Sequence, residues 1–131
     1  TFLNWRFGSH PVNEYKICTH VASGGKINSY IVLLIQGTLV SIIDIFADYR
    51  SNYLRWLVFK VMKRFQNSGI ESVRIWLPEG HIIGKQLQTL GFTHKKEPLG
   101  IIPTGRSFDP ALNFEFTAQN LYYTMADGDL F

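Results

Sequence analysis

The feature that most narrows the possible folds is a change of hydrophobic period between Ala47 and Asn52. Before it, Ile27–Ile35 and Leu39–Ala47 are β-branched and nearly continuous in apolarity, as strands covered on both faces are. After it, Leu54, Leu57, Val58, Val61, Met62 and Phe65 recur at i, i+3, i+4, i+7, i+8 and i+11, which is one face of an α-helix. Glu71–Leu77 returns to alternation, with Val73, Ile75 and Leu77 set against Arg74 and Trp76, and stops at Pro78. A strand, a helix and a strand in this order require a parallel crossover, normally right-handed.

The other elements arrange themselves around that unit. Tyr15–Val21 reads as a further strand, joined to the next by Ser23-Gly24-Gly25-Lys26, whose glycines accept positive φ. Gln36-Gly37 turns the chain again, so the first third is predicted to be an antiparallel meander. The main helix is predicted over Arg50–Asn67, with Gly69 beyond it as a stop. A second helix is expected over Gly80–Leu90, with Ile83, Leu87 and Leu90 on one face and its end at Gly91. Two more strands, Leu99–Ile102 and Leu121–Met125, flank a loop carrying Pro103, Gly105 and Pro110. Thr1–Pro11 is an aromatic and basic lead-in, stopped at His10-Pro11. The predicted class is α+β, with a mixed, mostly antiparallel sheet, one β-α-β crossover and two main helices. Neither a repeat nor a linker divides the 131 residues, which suit a single domain over 1–131.

Composition bounds what such a domain does. With 46% hydrophobic and 18% charged residues, the chain is not of the disordered class. Its longest apolar run, Tyr30–Ile35, is far short of the roughly 20 residues that span a membrane. The single cysteine, Cys18, forms no internal disulfide and fits a reducing compartment, hence a cytoplasmic expectation. It lies on a predicted strand without a CxxC companion and reads as a small core residue. His10, His20, His81 and His94 are too dispersed for a metal signature. The net charge of +3 suits an anionic ligand. Arg55, Lys60, Lys63 and Arg64 share the main helix and read as a solvated face rather than a phosphate track. Phe108, Phe114, Phe116, Tyr122 and Tyr123 are not interleaved with Lys or Arg, so they read as core and lid packing rather than a base-stacking platform. No nucleic-acid or membrane partner is expected. Asp127 and Asp129, around Gly128, are expected to cap the last strand or meet a basic neighbour.

Four features taken together resemble the GNAT-type N-acyltransferases over roughly Tyr15–Phe131: Ile42-Ile43-Asp44-Ile45-Phe46, Tyr49-Arg50-Ser51-Asn52, the long apolar helix, and Leu90-Gly91-Phe92. The resemblance implies a GNAT-like fold without the family's N-terminal strand and pair of helices. The chain, which does not begin with Met, therefore reads as an excerpt of a longer protein. It also implies transfer of an acyl group, expected to be acetyl, from acetyl-CoA as co-substrate and without a metal. The acceptor would be a primary amine of a small molecule or peptide. In that family the amides opening the main helix grip the pyrophosphate, as unsatisfied helix-terminal donors can. Carried over, Phe46 and Ala47 would pair their backbone with pantetheine, while Arg50, Ser51, Asn52, Tyr53, Leu54 and Arg55 would receive the phosphates.

Asp44, an acid interrupting an apolar strand, is the candidate base. It reads equally as a structural carboxylate held by an Arg or capping a turn. His81, after Pro78-Glu79-Gly80, is a second candidate base or else a solvent-facing first-turn residue. Three positions depart from the family pattern. Tyr53 and Arg55 stand where it has small residues, and Leu87 stands where many members place a Tyr acid. These departures sustain an alternative from another class: a catalytically inactive GNAT-fold module for interaction or substrate binding in a larger protein. Such a module would meet a partner domain or a second copy through the main helix or the exposed sheet.

Overall fold

The structure, a computed structural model, describes residues 2–48, 51–96, 109 and 111–128. The chain forms two compact units. One comprises Thr1–Trp76 with Thr124–Phe131, and the other is the intervening Leu77–Tyr123.

The first unit is built on a four-stranded sheet of order β1-β2-β3-β4, with β1 at Tyr15–Val21, β2 at Ile27–Gln36, β3 at Leu39–Ala47 and β4 at Ser72–Ile75. The first three strands form the antiparallel meander, and β4 joins β3 in parallel after the helix α1, Tyr53–Phe65. In the first hairpin the Ala22 amide donates to Lys26 O at 2.9 Å, and the Gly25 amide donates to Ala22 O at 3.1 Å. Gly24 and Gly25 take φ of +101° and +80°, a region that glycine enters without a Cβ penalty. Helix α1 is shorter than predicted at both ends. Its backbone turns extended at Gln66 and left-handed at Asn67, before Gly69 is reached.

The sheet carries apolar side chains on both faces. Leu54, Leu57, Val58 and Val61 of α1 are buried, and the helix packs on β1 and β2. The opposite face holds Val32, Leu34 and Ile43, sealed by Phe7 from the start of the chain and by Met125 and Ala126 from far downstream. Phe7 sits in a π-helical turn, Asn4–Gly8, so the predicted lead-in is a short helical segment. The Arg6 guanidinium donates to the carbonyl of Ala126, tying these two distant segments together.

One predicted strand is corrected. Leu121–Met125 does not join the sheet; a 3-10 turn, Met125–Asp127, occupies its end. Thr124 and Asp127 form a reciprocal capping box around that turn, and side chains that satisfy local amides in this way compete with a strand ladder. The predicted strand at Leu99–Ile102 lies outside the described residues.

The second unit contains α2, Ile82–Thr89, and α3, Phe114–Asn120. The sequence reading places the α3 stretch in the loop before Leu121, with no helix. Asn113 caps it by accepting from the Phe116 amide at 3.0 Å. Phe116 and Tyr122 are exposed rather than packed in a core. Among the described residues no helix is long and apolar enough to cross a membrane.

Candidate functional site

Strand β3 contains a β-bulge that determines where its one acidic side chain points. Val32 pairs with Asp44 and the next residue, Leu33, pairs with Ile42, which leaves Ile43 as the extra residue. A bulge puts two consecutive side chains on one side of a strand. Ile43 therefore enters the cluster sealed by Phe7 and Met125, and Asp44 follows it onto that same face rather than onto the face packed by α1.

There Asp44 is held by three donors. Its Oδ1 accepts from the Ile45 amide at 2.8 Å, and its Oδ2 accepts from the Tyr30 hydroxyl at 2.9 Å. The Thr124 hydroxyl lies 3.4 Å from Oδ1 of Asp44 and equally 3.4 Å from Oδ2 of Asp127. A hydroxyl has one proton, so Thr124 serves one carboxylate at a time. Asp127 also accepts from the Thr124 amide at 2.8 Å. The Asp44 carboxylate is thus fixed by a tyrosine and a threonine, where the sequence offered an arginine or a turn as its partner. Burial, followed by the charge and hydrogen bond of Asp44 and the charge of Asp127, pushes the Tyr30 phenol well above its ordinary value. Tyr30 consequently remains a donor across the neutral range. A carboxylate offers about four acceptor positions, so Asp44 retains room for a further donor or proton.

Beyond Asp44 the sheet changes character. The β3–β4 ladder covers only Leu39–Ile42 with Ser72–Ile75, while β3 continues to Ala47. Phe46 is exposed and stacks on Tyr30, with ring centroids 5.8 Å apart and planes 25° apart, whereas Ala47 is buried. Arg50 lies outside the described residues, as does Asp129.

Ser51 does the capping at the start of α1. Its amide and hydroxyl both donate to Asp48 O, and its oxygen accepts from the Tyr53 amide at 3.3 Å. Asn52 occupies the cap position without a side-chain cap bond. The Tyr53 ring lies against β1, stacked on His20 at 4.4 Å, with Trp56 meeting the same imidazole edge-on at 5.0 Å. Leu54 is 2% exposed, so only its backbone faces the bend, and Arg55 is exposed. Among the described residues, the amides of Leu54 and Arg55 are the first-turn donors without an acceptor.

His81 belongs to the second unit. It is half-buried, not solvent-facing, and caps α2 by accepting from the Ile83 amide at its Nδ1, 3.3 Å away. Burial lowers its pKa, which favours the neutral ring that this cap requires. Cys18 is a free thiol, half-buried on β1 beside α1. Among the described residues, no three His, Cys, Asp or Glu side chains converge on a point that could hold a metal ion.

Sequence reasoning did not connect Tyr30, Thr124 and Asp127 to Asp44. Of these, Tyr30 carries the local signal, a hydroxyl at the head of the longest apolar run. No known family model matches the chain, and searches for similar curated proteins and similar solved structures find no match.

Proposed function

We propose that this chain is an acyl-CoA-dependent N-acyltransferase domain, with acetyl as the acyl group and a primary amine as acceptor. The observation that carries the reading is the position of Asp44. It sits at a bulge on the strand that outruns β4 and leads directly into α1. In the proposed reaction the amine nitrogen attacks the thioester carbonyl carbon, the C–S bond breaks and CoA departs as a thiolate. The proton lost by the nitrogen passes to Asp44, or to a water it orients, and the thiolate is protonated by solvent. Tyr30 and Thr124 hold the carboxylate in place. The free amides of Leu54 and Arg55 supply anion donors, and the turn of Tyr53 toward His20 keeps its ring off the sheet-end side of that bend.

Thermal-shift and calorimetric titration with CoA and acetyl-CoA provide the test, followed by thiol release with a panel of primary amines. Asp44→Asn is expected to keep CoA binding and to lower turnover by about 10²–10⁴-fold, the usual range for loss of a general base. Absence of any stabilisation at millimolar CoA removes the proposal. The rival reading, an inactive interaction module, is supported by the exposed Trp56, Phe59 and Met62 of α1. It predicts normal folding and partner binding with no response to CoA.

A further inference from the structure

The outer side of α1 is charged in one sense only. The helix carries Arg55, Lys60, Lys63 and Arg64 and no acidic residue, so its charge of +4 exceeds the +3 of the whole chain. Among the described residues, none of the four cations forms an ion pair. Three of them, Lys60, Lys63 and Arg64, rim a groove of about 420 Å³ whose remaining wall is Cys18, Thr19, Trp56 and Leu57. The groove therefore runs between α1 and β1, and among the described residues β1 is an edge strand that pairs on one side only, with β2. An edge strand presents a row of unpaired backbone donors and acceptors to any extended chain laid alongside it.

We infer that the groove between β1 and α1 binds an extended acidic peptide, which adds as a strand to the free edge of β1 and sets its carboxylates against Lys60, Lys63 and Arg64. Alternate side chains of an added strand point to opposite faces. Cys18 and His20 of β1 face α1, while Tyr15 and Ile17 face the other apolar cluster. The best peptide accordingly alternates acidic and apolar residues. Other occupants fit less well. The groove is concave, which a bilayer surface cannot follow. Lys60 Nζ sits 5.1 Å from the Trp56 ring centroid and covers the face on which a nucleobase would stack. A second copy would bring the same four cations against these. The inference is independent of the acyl-CoA reading.

Fluorescence anisotropy of the full chain with a labelled peptide of alternating Glu and Val tests it, in the presence of saturating CoA so that the two proposals fail separately. Binding is expected, weakened by salt, and lost when alternate amides of the same peptide are N-methylated. The double variant Lys63→Glu, Arg64→Glu is expected to weaken binding at least tenfold and to bind a Lys-Val peptide instead, a gain that an unfolded variant cannot show. The inference is overturned by absence of binding, by equal binding of the N-methylated peptide, or by tighter binding of oligo-dT or phosphatidylserine vesicles than of the peptide.

Discussion

Replacing Tyr30 with Phe isolates the hydrogen bond that positions Asp44. The change deletes one hydroxyl, leaves the ring stacked on Phe46, and removes the donor 2.9 Å from Oδ2. A hydrogen bond to a charged group contributes about 1.5–3 kcal/mol, and the half-buried site places the loss near the lower end. For 131 residues, roughly 2.1 cal/mol/K of unfolding entropy per residue turns about 1.5 kcal/mol into a Tm drop of about 5 °C.

The pH dependence is the sharper readout. The folded phenol titrates well above the ordinary value of 10.0, so above that pH the unfolded chain releases this proton while the folded chain keeps it. With fewer protons bound in the unfolded state, stability falls as pH rises, by up to about 1.4 kcal/mol per pH unit. The contribution is complete below pH 10.0 and is lost between that value and the raised folded one. Urea unfolding of the wild type and Tyr30→Phe should therefore give a stability difference that is flat at neutral pH and shrinks above about pH 10. A difference that stays constant through about pH 11 would refute the coupling of Tyr30 to Asp44.

Leu57→Ala, at a position 1% exposed, should cost about 2–5 kcal/mol in urea unfolding, and Phe59→Ala, 61% exposed two residues along the same helix, within about 0.5 kcal/mol of none. His81→Asn keeps a cap acceptor but removes the titration. Because burial lowers the folded pKa of His81, its stabilising effect is present above the ordinary value of 6.5 and lost as pH falls through the lower folded value. The protection of the Ile83 amide against exchange, relative to its intrinsic rate, should fall in acid for the wild type and stay flat for the variant; identical profiles would remove His81 from the cap.

The meander, the crossover and the main helix were legible because each rests on a local rule, either alternation, a glycine turn or a 3.6-residue period. The orientation of Asp44 was not. Counting alternate residues from the Gly37-Thr38 turn puts Asp44 on the same face as Val40 and Ile42, where it would meet the underside of α1. Only the pairing of β3 with β2 reveals the extra residue at Ile43 that reverses it. Thr124 lies 80 residues from Asp44, and no periodicity reports a contact of that range. The stretch 121–125 looked like a strand because it is apolar and aromatic, but the Thr124–Asp127 pair satisfies the local amides first. Asn113 was a readable cap for α3, outweighed in the sequence by the prolines and glycines that precede it.

The first unit is closed by residues made early and late, since Phe7 and Met125 share one cluster and Met125 is fully buried. The meander can form from residues 15–47 alone, yet one side of it has only part of its cover until residues 124–126 fold back onto it. Contacts of such long range are slow to form, so the folding chain still exposes part of this greasy surface after the meander is complete.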